Sequence, residues 1–169
     1  KLDPVSSIIA KDLAQLFFYQ RRTDAAIERC EETLEQDPHF YGAHWLLGLI
    51  HEQCRDYDTS EACFRKAIEL TPGTPRMLSA LGRTMALAGK KKQAYQVLAE
   101  LSAMAEERYV SPLDSALIHI ALEEPAYAAA RLLGLAPNRH FDLLHLRVDP
   151  RFDSLRAHRA FAQLRSEIS

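Results

Sequence analysis

His44, His51, Cys54 and Cys63 lie close together in the sequence. Imidazole nitrogens and thiolates are the donors of zinc sites. His51 and Cys54 are three residues apart, a spacing that brings two side chains to one face of a helix. All four also fall at packing places on apolar stretches, so packing is expected and a metal is not. Cys30 could act as a nucleophile beside an activating histidine. None stands at helical spacing, and an apolar place makes Cys30 a small hydrophobe. Asp149 and Asp153 could work as paired carboxylates. Asp149 directly precedes Pro150, where it reads as a helix cap, and Asp153 reads as an exposed residue. Glu106-Glu107 and Glu123-Glu124 read as solvated helix ends or loops. There is no glycine-rich phosphate cradle and no clustered catalytic motif, so neither an enzyme nor a bound cofactor is expected. Lys90-Lys91-Lys92 lacks interleaved aromatics, and direct binding to nucleic acid is not expected from it.

Positioning any of these residues requires a fold, and the composition bounds it. The 169 residues carry 21 basic and 23 acidic side chains, a formal charge of -2, so no strong field points at nucleic acid or anionic lipid. Apolar residues make up 47%, enough for a globular core. Three cysteines argue against a disulfide framework and suit a reducing, cytoplasmic setting. No apolar stretch is long enough to span a bilayer, and no membrane partner is expected.

The chain repeats. Pro4, Pro38 and Pro72 are 34 residues apart, in the matching contexts Leu2-Asp3-Pro4, Gln36-Asp37-Pro38 and Leu70-Thr71-Pro72. Leu47-Gly48 recurs 34 residues later as Leu81-Gly82. Each period reads as two helices. In the first, the apolar stripe Ile9, Leu13, Leu16 and Phe17 gives way at Arg21-Arg22-Thr23-Asp24. Thr23 or Asp24 is then expected to cap a helix carrying Ile27, Cys30 and Leu34. The second period predicts helices over 43–54 and 57–70. The third predicts 74–88, with Thr74 as cap and Gly89 as terminator, then 90–106. The fourth opens on Ser111-Pro112 and predicts 112–122 and 126–135. The stretch from His140 to Arg147 stays ambiguous. Asp149-Pro150 restarts helix, and Ala157 to Ile168 reads as a terminal amphipathic helix with Phe161, Leu164 and Ile168 inward.

At these residues the chain resembles the tetratricopeptide repeat family. Unit one offers Ala10, Leu13, Ala14, Phe17, Ala26, Cys30, Thr33 and Pro38 at that family's pattern positions. Unit two offers His44, Leu47, Gly48, His51, Ser60, Phe64, Ala67 and Pro72. Unit three offers Leu78, Leu81, Gly82, Met85, Ala94, Leu98 and Leu101, with Glu106 in place of the proline. Unit four keeps His119, Ala128 and Leu132 but has Ser115-Ala116 for the Leu-Gly pair. The tail Val148-Asp149-Pro150-Arg151-Phe152-Asp153-Ser154-Leu155-Arg156 is similar to the end of bacterial tetratricopeptide regions that follow winged-helix, cyclase or kinase domains. The resemblance implies an all-α, right-handed solenoid of about four hairpins (about 7–40, 41–74, 75–108 and 109–137) plus a C-terminal capping helix within 138–169.

It also implies a non-catalytic module that binds protein or peptide in a concave groove lined by first helices. On this register the groove residues are Lys11, Gln15 and Tyr19, then Trp45, Leu49 and Glu52, then Arg76, Ser79 and Arg83. Trp45 is expected either as a groove anchor or packed between hairpins. The family's chaperone-tail clamp is incomplete: Lys11 fits, but Gln15, Leu46 and Ala80 stand at places where that clamp has Asn, Asn and Arg, and Arg76 is the only other possible match. The alternative role is a regulatory or scaffolding segment of a larger bacterial transcription or signalling protein, with other domains of the parent chain as partners. Asp3-Pro4 matches the end of a repeat, so further hairpins or another domain are expected upstream. Self-association through the N-terminal hairpin is expected from an apolar face around Ile8, Ile9, Leu16 and Phe17.

Overall fold

A computed structural model describes residues 4–133 and 148–156. The described backbone is helical, without strands: α1 (Pro4–Tyr19), α2 (Thr23–Gln36), α3 (Tyr41–Gln53), α4 (Tyr57–Leu70), α5 (Pro75–Leu87), α6 (Lys91–Glu107), α7 (Pro112–Ala121) and α8 (Pro125–Leu133). A 3-10 turn, Pro150–Phe152, then leads into a short α9 (Asp153–Arg156). The expected terminal helix and the ambiguous stretch from His140 to Arg147 lie outside the described residues. The chain divides into two units, residues 1–77 and 78–169. In the first, α1 pairs with α2 and α3 with α4, and α3 also lies on α1 and α2. In the second, α7 touches α6, α8 and the 3-10 turn.

The period is written into the backbone. Arg21, Arg55, Gly89 and Glu123 all have positive φ, at 62°, 63°, 79° and 63°, and they are 34 residues apart. After each, one amide reaches back to the last turn of the preceding helix: Arg22 to Phe17 O, Asp56 to His51 O, Lys90 to Met85 O and Glu124 to His119 O, at 2.8–2.9 Å. This left-handed stop satisfies carbonyls that a helix end leaves orphaned and reverses the chain within three residues. Only Gly89 is suited to it without cost, and it alone announces the stop in the sequence. The exposed Arg55 carries the strain of a side chain in the left-handed region. Arg55→Gly is therefore expected to raise stability by about 1 kcal/mol, read as a higher urea midpoint. Gly89→Ala should lower it by a similar amount, because nothing lies within 4 Å of the added carbon and only the backbone term changes.

Small residues recur where two helices meet. Ala14, Gly48, Gly82 and Ala116 share one register position, so Ala116 fills the role that the missing Leu-Gly pair left open. Ala26, Ser60, Ala94 and Ala128 share another, and all four are fully buried. A Cβ on Gly48 would lie 2.5 Å from the Phe64 ring, and one on Gly82 would lie 2.6 Å from Val97. Ser60 Oγ donates to Gly48 O at 2.8 Å, tying the helices of that hairpin where they are closest.

Caps follow the sequence unevenly. Ser111 and Asp149 cap as expected, accepting from Leu113 N at 3.3 Å and Arg151 N at 2.9 Å. Asp56 caps α4 through Thr59 N at 3.2 Å. Neither Thr23 nor Asp24 caps α2. Arg22 holds the cap position without a side-chain bond, because it is already the last residue of the left-handed stop and helix resumes at Thr23.

Candidate functional site

The first unit carries a cleft of about 470 Å³ built by the N-terminal half of α1, the start of α3 and the residues around the start of α5. Trp45, only 4% exposed, contributes to its lining. The Arg76 guanidinium lies over the indole, 4.3 Å from the ring centroid, a cation–π contact that leaves Arg76 itself exposed. Phe40 and Tyr41 add aromatic lining beside Ile8. Gly42 keeps the space open: a Cβ there would stand 3.0 Å from the Phe40 ring. On α1, Lys11 Nζ donates to Gln15 Oε1 at 3.3 Å, and Gln15 Nε2 to Tyr19 OH at 2.7 Å. Lys11 also pairs with Asp12. The result is an apolar and aromatic hollow with two cations among its lining residues.

Of the nine residues expected in a groove, Lys11, Gln15, Trp45 and Arg76 line this cleft, and Tyr19 joins it through Gln15. Leu49 and Glu52 are buried, at 2% and 4% exposure. Ser79 and Arg83 belong to the second unit and are buried too. Ser79 Oγ is taken up by Asp114 O at 2.6 Å. Burial, then the Arg151 charge, pushes Arg83 down from the usual arginine range, while Asp149 draws it back up. Ile8, Phe40 and Tyr41 were missed. Ile8 and Gly42 precede Arg76 by two periods and one, so the repeat itself carried that signal.

The candidate chemistry disperses. Cys30 is fully buried, and burial, with smaller contributions from Cys63 and Glu31, pushes its thiol up to about 12, too high for a nucleophile. His44 Nε2 bonds Pro38 O at 2.9 Å, and His51 Nδ1 stands 3.4 Å from Asp56. Cys54 is exposed at the end of α3, not packed as its sequence context suggested. No group of three or more histidine, cysteine or carboxylate side chains is set to hold a metal among the described residues. One period pair stands out in the second unit, where His119 and Glu124 repeat the spacing of His51 and Asp56. Glu124 accepts from Tyr95 OH at 2.5 Å and sits 2.7 Å from His119 Nδ1; these two bonds, the tyrosine's first, hold its carboxyl below the usual range against burial. Tyr127 stacks on the His119 ring. The group ties α6, α7 and the start of α8 together.

No described helix is long and apolar enough to cross a membrane. The tetratricopeptide repeat family model matches residues 11–75. Among solved structures, an O-GlcNAc transferase variant from Thermobaculum terrenum has a similar fold, with a TM-score of 0.64 and 21% identity over 79% of this chain. The chain spans 26% of that protein's length. No curated protein matches the chain. The fold is thus an all-α array of helical hairpins of the tetratricopeptide type.

Proposed function

We propose that the chain is a non-catalytic module that binds a segment of a protein partner in the cleft of its first unit. The feature recognised is an acidic group next to an apolar side chain. Tetratricopeptide repeats generally mediate protein–protein interaction, and the match over residues 11–75 contains most of the cleft. The observation that carries the reading is the placement of Lys11 and Arg76 among the aromatic lining. Two cations favour a carboxylate, and a hollow between Trp45, Phe40 and Tyr41 favours an apolar side chain beside it. On this reading the ligand is held by these two cations and the aromatics, without the asparagine pair that the clamp lacks.

Trp45→Ala is the wrong probe, since a buried indole is also a folding element. Lys11→Ala with Arg76→Ala is the right one, because both side chains reach the surface. Labelled acidic peptides, each with one aromatic or aliphatic residue beside the carboxylates, are compared with the same peptides carrying amides. The double variant should weaken the acidic peptides at least about tenfold, or about 1.4 kcal/mol, leave the melting temperature nearly unchanged and bind both peptide series alike. Added salt should weaken only the wild type's preference. Equal affinity of wild type and variant would remove the cleft as the site.

A second reading is that the array positions domains of a longer signalling or transcription protein. Its support is the tail resemblance at Val148 to Arg156 and the similarity to a short part of a much longer chain. A cytoplasmic setting is supported by the free thiols of Cys30, Cys54 and Cys63.

A further inference from the structure

We propose that a hollow in the second unit is a binding site for a small hydroxylated carboxylic acid, its carboxylate held by Arg131 and its hydroxyl by His119. The hollow has a volume of about 500 Å³ and lies among α6, α7, α8 and the residues that lead into α7. That volume is in the range of sites that enclose one small molecule. Leu98 and Val110 contribute apolar lining, and Ser102, Ser115, His119 and Arg131 contribute polar lining.

The repeat shows that packing does not ask for these polar residues. The place of Ser115 is held by Leu13, Leu47 and Leu81 in the earlier periods, and Leu47 and Leu81 are buried. The place of Ser102 is held earlier by Leu34 and Ile68, and Arg131 stands where Val97 is buried one period before. A hairpin array repeats its apolar residues where its helices meet. Here the departures from that pattern line one hollow, and departures of this kind mark places with a use other than packing. The two serines also make the space, since each is smaller than the residue it replaces.

The polar groups set the ligand's chemistry. Arg131 is exposed and has no ion pair or hydrogen bond with another described residue. Arg29, at the same place in the first period, is paired with Glu32 at 2.7 Å. An uncommitted guanidinium offers a carboxylate two parallel donors. His119 supplies the complement. Glu124 Oε2 sits 2.7 Å from its Nδ1, and Tyr127 stacks on its ring. A carboxylate on Nδ1 keeps the proton there, so Nε2 of the neutral ring is an acceptor and calls for a hydroxyl donor. Glu124 is itself engaged by Tyr95 and His119, with the Lys91 charge acting on it as well, so a second carboxylate belongs at the Arg131 end. The apolar body of the ligand then lies along Leu98 and Val110.

Titration calorimetry of the chain tests this with 4-hydroxyphenylacetate as probe, beside 4-hydroxyphenylacetamide, which lacks the charge, and phenylacetate, which lacks the hydroxyl. The chain should bind the hydroxy acid saturably and each analogue at least about tenfold more weakly. Arg131→Gln should bind acid and amide alike at an unchanged melting temperature, because the side chain is exposed. Ser115→Leu restores the residue of the earlier periods, and it should abolish binding without lowering the melting temperature. Lys11→Ala with Arg76→Ala should bind the probe as the wild type does, so this site and the first-unit cleft stand or fall separately. No saturable binding of the hydroxy acid overturns the proposal. So does equal affinity for phenylacetate, a preference for the acid that survives Arg131→Gln, or binding that survives Ser115→Leu. A peptide with a free C-terminal carboxylate that displaces the probe and binds more tightly would give the hollow to a protein end and overturn the small-molecule site.

Discussion

Truncating Phe64 to alanine is expected to cost about 3–5 kcal/mol, seen as a large fall in the urea midpoint. The ring is fully buried. It lies against the backbone of α3 at Gly48, where an added Cβ would come within 2.5–2.8 Å of three ring atoms. A rigid ring that close leaves no room to collapse when it is removed, which places the loss toward the cavity-forming end of the range. The same contact predicts a sign reversal. Gly48→Ala alone should destabilise by about 1–3 kcal/mol through overpacking. Once Phe64 is alanine, the added methyl has space and restores part of the lost contact. The double variant should therefore be more stable than the sum of the two singles by at least about 1 kcal/mol. Strict additivity would mean that the ring does not meet Gly48, and the register linking the two helices would fall with it.

That register is legible in the amino-acid sequence, and the reason is physical. A hairpin that cannot bury its apolar face alone must repeat the same small and large residues wherever it meets its neighbour. Pro38 and Pro72, Gly48 and Gly82, and Ser60 and Ala94 are direct prints of that need. The helix stops were half legible. Gly89 marks its own stop, but Arg21, Arg55 and Glu123 adopt the same conformation at a cost that leaves no residue-type signature. The cleft was legible as a face and not as a list. Helical spacing says that Lys11, Gln15, Trp45 and Arg76 share a side; it does not say that Leu49 and Glu52 are covered while Ile8, Phe40 and Tyr41 are not. Those outcomes depend on how deeply each turn sits in its unit. Least legible was the tail, because its partner lies far away in sequence. Asp149 reads as a cap from Pro150 alone, and nothing local reveals that Arg83 waits beside it.

That tail site carries the second large effect. Asp149 is fully buried, and both its carboxylate oxygens take the Arg151 guanidinium, with bonds of 3.0, 3.0 and 2.6 Å. Arg83 faces the same group. Burial by itself would raise the carboxyl, but the Arg151 charge, its hydrogen bonds and Arg83 together outweigh it and hold Asp149 below its ordinary range. A carboxyl whose folded value is depressed contributes stability that is present above the unfolded value of about 4 and disappears as pH falls through the folded one. Asp149→Asn isolates the charge from the cap, because asparagine caps a helix as well as aspartate does. What the amide cannot do is neutralise two buried guanidiniums that face the same place. Breaking a buried pair from one side costs about 3–5 kcal/mol, and that is the loss expected at pH 7. At pH values well below 4 the wild type should lose its advantage, and the two chains should converge in urea midpoint. An Asp149→Asn chain as stable as wild type at pH 7 would mean that water, not Asp149, balances Arg83 and Arg151. A constant gap down to low pH would mean that the stabilisation comes from shape and hydrogen bonding at the 3-10 turn rather than from the carboxylate charge.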